Sequence, residues 1–369
     1  MSASISRVTS VRHYVAGGRE HGGGIGRLVG YVLDAPGKSL RHTVRDTRGP
    51  RLSLLGSPLC LAKCMAGLCT DRIRSVHTLH QLHVAGRGST ARKLLLGGAA
   101  RLSGARYMLH LHDYDYAADY SRRPDWQKRA IRTLFRGAET VLVLGHRDRD
   151  TIAAFGVPAD RIEVLRNCVP DPGARLRPAH ETPHIVFLGQ LGPRKGVPEL
   201  IEALASPEMA ALSWRATLAG GGDVESYRDR IAAHGLTDRV ALPGWLGEPE
   251  TRALCTSADI LVLPSHAEGF AMAVLEGLAH GLAVVTTPVG AHPEILEHDR
   301  HCLLIPPGDP PALARALADL VADPARRAAL GAEARKLFVE QFGIDGYVRR
   351  LEALQSGTDD VPVNVLRSA

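Results

Sequence analysis

Residues 259–276 read DILVLPSHAEGFAMAVLE. Ile260–Leu263 is a short unbroken run of aliphatic side chains closed by Pro264. Such a run suits a strand buried on both faces of a sheet. A polar loop, Ser265–Glu268, follows, and Ala, Met, Leu and Glu then favour helix. A strand that opens through a loop directly into a helix is the repeating unit of a parallel sheet covered by helices.

The same grammar surrounds this stretch. HIVFLG (184–189), WRATLAGG (214–221), RVALPG (239–244), AVVTTP (283–288) and CLLIPPG (302–308) are each a short apolar run closed by Gly or Pro. Further upstream, strands are expected at Val8–Val15, His42–Arg45, Arg74–Leu79, Tyr107–His112, Thr140–Leu144 and Ile162–Arg166. Helical patterns lie between them, at Pro124–Gly137 and Asp148–Phe155 among others. Cys168–Pro183 holds four prolines in sixteen residues and breaks the alternation. The expected fold is therefore α/β, with two Rossmann-like doubly wound domains. The expected boundaries are a first domain at 1–170, a second at 184–340, a helix at 341–356 that crosses back, and a flexible tail at 357–369. Such sheets bind ligands outside the carboxyl ends of their strands, and two of them offer a cleft for two substrates.

Length and composition agree with two ordinary globular domains: 369 residues, 45% hydrophobic, mean hydropathy −0.05. No run of 18 apolar residues occurs and the first twelve residues lack an apolar leader core. A cytoplasmic protein, peripheral at the inner face of the membrane, is expected. The six cysteines have no zinc-like spacing and are read as free thiols. The net charge of +6 is uneven: 27 Lys and Arg face 13 Asp and Glu up to residue 170, against 18 and 26 beyond it. Different partners for the two halves follow.

Glu268 lies in the loop and Glu276 two helical turns on, along roughly the same face. Between them, Gly269, Phe270, Ala271, Met272 and Ala273 offer a helix N-terminus, where free N–H groups and the helix dipole hold phosphate. In Phe187–Gly196, a strand ending at Gly189 delivers Gln190, Arg194 and Lys195 to a second helix start, a diphosphate clamp. His112 ends a strand, whereas His110 is read as structural, on the opposite face. Gly22–Arg27 (GGGIGR) superficially resembles a dinucleotide glycine loop, but no acidic residue clearly ends the second strand in the context that such a loop requires, and a lone Gly-rich loop is a weak signal. Ala85–Lys93 (AGRGSTARK) brings Arg87, Arg92 and Lys93 to a phosphate-type turn. Asp113-Tyr-Asp115 mimics a metal-binding DxD, yet no further oxygen ligands cluster with it. No metal and no cofactor are expected.

Together these motifs resemble the retaining GT-B glycosyltransferases of family 4, the group 1 glycosyltransferases. The resemblance covers Ile185–Pro307 and includes Ala219–Gly222, Pro243–Trp245, Thr286–Ala291 and Leu304–Asp309, in family order. It implies that Glu268 meets the donor hexose, Glu276 the nucleotide ribose, and Lys195 the diphosphate. The family usually has Arg where this chain has Gln190. His112 matches the histidine that reaches the donor sugar. Gly23, Gly24 and Arg27 match the loop lining the cleft near diphosphate and acceptor. Residues 85–93 resemble segments of bacterial exopolysaccharide enzymes, which implies a lipid-linked or saccharide acceptor in polysaccharide biosynthesis and an anionic membrane surface. The implied reaction is transfer of a hexose from a nucleotide-sugar to a hydroxyl, with retention. A nucleotide-sugar epimerase on the same fold is the alternative enzyme. A basic nucleic-acid-binding protein is the alternative of another class. It leaves the acidic half unexplained, and no nucleic-acid partner is expected.

Overall fold

The computed structural model describes residues 8–74, 77–173 and 182–358. The chain divides into two units. One runs to Cys168 and takes up the chain again from Ile344; the other is Val169–Gly343.

In the first unit the order is β1 (Ser10–Val15), α1 (Gly23–Asp34), β2 (Arg41–Asp46), α2 (Gly56–Arg74), β3 (Thr78–Val84), α3 (Gly86–Ser103), β4 (Tyr107–Leu111), α4 (Tyr116–Ser121), α5 (Asp125–Arg136), β5 (Val141–Val143), α6 (His146–Ala154) and β6 (Ile162–Val164). The strands form one parallel sheet in the order β2-β1-β3-β4-β5-β6. Leu82, Val84, Leu96, Leu109, Phe135, Val141 and Phe155 are fully or nearly fully buried around it.

The second unit runs β7 (His184–Leu188), α7 (Val197–Leu204), α8 (Pro207–Ala210), β8 (Arg215–Ala219), α9 (Val224–Ala233), β9 (Val240–Gly244), α10 (Glu248–Ser257), β10 (Ile260–Leu263), α11 (Met272–Ala279), β11 (Ala283–Thr286), β12 (Leu303–Leu304), α12 (Pro310–Ala322) and α13 (Pro324–Gln341). Its parallel sheet has the order β12-β11-β10-β7-β8-β9. The chain winds outward from β7 through β8 to β9, then returns to β10 on the other side of β7. The switch point therefore falls between β7 and β10, where open α/β sheets bind ligands. Asp309 and Asp323 cap α12 and α13, accepting from the N–H groups of Ala312 and Arg326. The proline after each cap occupies a position that needs no N–H.

The last helix among the described residues, α14 (Ile344–Ser356), packs on the first unit. Glu352 accepts hydrogen bonds from Ser39 and Leu40, Gln355 donates to Gln81, and Arg350 donates to Glu163.

One strand departs from expectation. β3 runs from Thr78 to Val84, not from Arg74 to Leu79. Its continuation carries His80, Gln81 and His83, side chains that argue against a buried strand. All three are buried nonetheless, because neighbouring strands supply their hydrogen-bond partners. Half of the proline-rich break Cys168–Pro183 (174–181) and most of the expected tail (359–369) lie outside the described residues.

Candidate functional site

The loops after β7 and β10 lie side by side because the two strands are paired, Ile260 opposite Ile185. Two glycines make this approach possible. Gly196, at φ 69°, ends a single 3₁₀ turn (Pro193–Lys195), and a Cβ there would sit 2.1 Å from the Pro264 carbonyl oxygen. Gly290, at φ 59°, lies against the second loop, where a Cβ would meet the Glu268 and Gly269 carbonyl oxygens at 2.1 and 2.3 Å. Both positions need a left-handed backbone and empty space at once, which only glycine supplies.

Between these loops, Lys195 Nζ lies 2.6 Å from Glu268 Oε1. Arg194 donates to the Ala267 carbonyl at 2.8 Å and stands 3.5 Å from the same carboxylate oxygen. Burial alone would raise the Glu268 pKa, but the charge and hydrogen bond of Lys195, with Arg194, hold it below the ordinary range. Gln190 is exposed at the mouth of the first loop. Phe270, Ala271 and Ala273 are buried. Helix α11 begins at Met272 and has no side-chain cap, so its dipole and first-turn N–H groups are open to a ligand. Glu268 is in the loop, as expected, and because the helix starts only at Met272, Glu276 stands just over one turn into it rather than two helical turns from Glu268. It is buried.

The sequence did not point to His292. Its Nδ1 donates to the Thr287 carbonyl, so Nε2 accepts from the Ala271 N–H. Burial lowers its pKa and keeps it neutral. It pins the turn into α11, and no local pattern around it marks that role.

In the first unit His112 follows β4 and is partly exposed. His110 does not lie on the opposite face. Residues two apart in a strand share a face, and the two rings have centroids 3.9 Å apart. His83 Nδ1 bonds His112 Nε2 at 2.9 Å. His83, His110 and His112 form the one grouping among the described residues that could hold a metal ion. Two of its nitrogens are already spent on each other. Burial, then the Lys93 charge, lowers the His112 pKa to about 3.

The cationic trio is not a surface patch. Lys93 is fully buried, and burial followed by Arg92 lowers its pKa to about 7. Arg92 is half-buried. Arg87, held at φ 48°, is exposed but spends its guanidinium on Tyr114 and its N–H on Asp119. Gly23 and Gly24 lie exposed at the start of α1, with Arg27 half-buried. Asp113 accepts from the Asp115 N–H in a plain turn, and Asp115 faces Arg147 at 3.4 Å. All six cysteines are free. Among the described residues no helix is long and apolar enough to cross a membrane.

Residues 174–337 match the family model of the group 1 glycosyl transferases, and residues 65–168 match a glycosyl transferase 4-like domain. The chain is 28% identical over 312 residues to a GDP-mannose-dependent alpha-(1-6)-phosphatidylinositol monomannoside mannosyltransferase of Mycobacterium tuberculosis, covering 78% of this chain and 79% of that one. It is 30% identical over 282 residues to the 2-deoxystreptamine N-acetyl-D-glucosaminyltransferase of Streptomyces fradiae, covering 70% and 67%. In fold it resembles sucrose-phosphate synthase from Thermosynechococcus elongatus, with TM-score 0.74, 19% identity and 94% and 98% coverage. It also resembles Anabaena HepE in complex with UDP-glucose, with TM-score 0.73, 18% identity and 94% and 99% coverage. With the paired doubly wound sheets and the ordered motifs at β7 and β10, these matches place the chain among the group 1 glycosyltransferases, enzymes of GT-B fold.

Proposed function

We propose that the protein transfers a hexose from a nucleotide-sugar to a hydroxyl of a lipid-linked saccharide, with retention. The observation that carries this reading is the convergence of Lys195, Arg194 and Glu268 ahead of the uncapped α11, at the switch point of the second sheet. In this reading Lys195, Arg194 and the α11 N-terminus hold the diphosphate. Glu268 takes sugar hydroxyls and Glu276 the ribose. Gln190 adds hydrogen bonds where a charge is missing, and His112 is the substrate residue of the first unit. Retention follows a front-face course. The C1–O bond to the diphosphate breaks, the acceptor oxygen bonds C1 on the same face, and the acceptor proton passes to the leaving phosphate oxygen. Lys195 and the helix stabilise the charge that develops there. No metal takes part in this reading, since the cations and helix dipole already serve the diphosphate. The HepE complex with UDP-glucose and the mannosyltransferase name support a nucleotide-sugar donor. Turnover of a labelled nucleotide-sugar panel, with and without excess EDTA, tests this. Transfer with the anomeric configuration kept, unchanged by EDTA, is expected. Inversion, or activity lost in EDTA and restored by Mn²⁺, would overturn the mechanism.

The lipid acceptor carries a second expectation. With Lys93 buried, the surface suited to a membrane moves to the loop before α2. Leu54 and Leu55 are 96% and 87% exposed, Leu52 and Leu59 are exposed beside them, and Arg51 and Lys63 flank them. Apolar side chains beside cations suit an anionic interface. Wild type should co-sediment with anionic vesicles. Leu54→Asp/Leu55→Asp should bind at least tenfold more weakly, because each buried Leu contributes roughly 1.5–3 kcal/mol. Equal sedimentation of the two, or none at any salt, would sink the membrane reading.

A further inference from the structure

A line of imidazoles crosses the first sheet. Glu352 Oε1 lies 3.1 Å from His42 Nε2, and His42 Nδ1 lies 2.9 Å from His13 Nε2. His13 Nδ1 lies 3.0 Å from His83 Nε2, and His83 Nδ1 lies 2.9 Å from His112 Nε2. The line begins on α14, steps through β2, β1 and β3, and ends just past β4. Every inner ring uses both of its nitrogens, so the protons along the line are coupled.

The end on α14 fixes the direction. The Glu352 carboxylate also accepts from the Ser39 N–H and hydroxyl and from the Leu40 N–H. Burial would raise its pKa, but these donors and His42 hold it below the ordinary range, so it is ionised near neutral pH. An ionised carboxylate only accepts. His42 must then carry its proton on Nε2 and accept at Nδ1. A neutral imidazole has one donor and one acceptor, so the constraint passes down the line. His13 and His83 donate from Nε2 and accept at Nδ1. His112 donates from Nε2, and its Nδ1 is left bare. Burial keeps all four rings neutral, and the buried Lys93 beside His83 and His112 disfavours any added charge. Among the described residues nothing bonds His112 Nδ1, and the ring is partly exposed.

We propose that Glu352 is a positioning residue. Through His42, His13 and His83 it sets the tautomer of His112, which therefore offers Nδ1 as the acceptor for a substrate hydroxyl. The last step rests on the reading of His112 as a substrate contact; the tautomer does not.

The test labels histidine with ¹⁵N and reads each ring's protonated nitrogen from two-bond ¹H–¹⁵N correlations, with His112 assigned by His112→Gln. Wild type should show His112 protonated at Nε2. Glu352→Ala removes the anchor. His13→Phe cuts the line at its middle and leaves the Ser39 and Leu40 bonds intact, should the first variant fold poorly. Both should leave His112 a mixture of tautomers, and kcat should fall roughly tenfold, the scale of one misdirected hydrogen bond. Nucleotide affinity should stay within about twofold, because its residues lie in the second unit. A His112 protonated at Nδ1 in wild type, or an unchanged tautomer in His13→Phe, would overturn the proposal. So would a bound metal ion whose removal rearranges the His83 and His112 signals. An unchanged kcat in His112→Ala would overturn the substrate contact alone, with the tautomer signals still deciding the rest.

Discussion

Lowering the pH from 7.5 to 5.5 is expected to strip a large share of the stability from the first unit. His13, His80, His83, His110 and His112 all have pKa values below the ordinary histidine range, chiefly through burial. His80 is brought to about 4 and His112 to about 3. Unfolding returns each ring to an ordinary value near 6.5. Below that pH the unfolded chain binds more protons than the folded one, so stability is complete above about 6.5 and is lost as the pH falls. One unit below, each such ring costs about 1.4 kcal/mol. Five such rings together cost several kcal/mol, a large share of the stability of a typical domain. His42 is left out because Glu352 would stabilise its cation. Lys93 adds nothing below pH 7. Its folded pKa of about 7 lies under the unfolded 10.5, so its contribution changes only between those values, where stability rises with pH. Urea titrations at pH 7.5 and 5.5, with amide exchange followed on β1, β3 and β4, would measure this. Equal urea midpoints at both pH values would show that the rings are not held neutral by the fold.

The same histidines mark where the sequence stopped being legible. Short apolar runs closed by Gly or Pro located most strands of both sheets, because burial on two faces leaves little choice of side chain. β3 failed that test in its second half. Its polar residues are tolerated only because partners arrive from β1 and β4, and strand order is not written in any local segment. Lys93 misled for a related reason. Gly-rich context and neighbouring cations suggested a solvated helix start, while the turn of α3 that carries it faces inward. The donor loops were easier. Lys195 and Glu268 each sit where a strand hands over to a helix, a local signal. That they touch, and that Arg194 folds onto the Ala267 carbonyl, depends on β7 pairing with β10 across some seventy residues of chain. His292 lies behind that contact and carries no signal of its own.

Lys195→Ala should therefore damage the second unit twice. The pair it breaks is largely enclosed, with 14% and 9% of the two side chains exposed. Removing one member of a buried ion pair typically costs about 3–5 kcal/mol, because the other charge stays buried without its partner. Arg194, at 3.5 Å and partly exposed, is too distant to replace it. The Glu268 pKa should rise once the Lys195 cation is gone, with only the more distant Arg194 left to hold it down. The folded state would then bind the extra proton, so the stability deficit should shrink as the pH falls toward 5. Catalysis loses a separate contribution, a charge-assisted contact to the donor diphosphate worth about 1.5–3 kcal/mol, or roughly ten- to a hundredfold in turnover. The double variant Lys195→Met/Glu268→Gln distinguishes the two losses. With both charges removed and the volume nearly kept, stability should return most of the way, since a buried pair replaced as a whole costs little. Turnover should not return, because neither the diphosphate nor the sugar hydroxyls regain their partner. A single variant as stable as wild type would mean that the 2.6 Å contact contributes nothing to the fold. A double variant that regained turnover would remove Lys195 and Glu268 from the donor site.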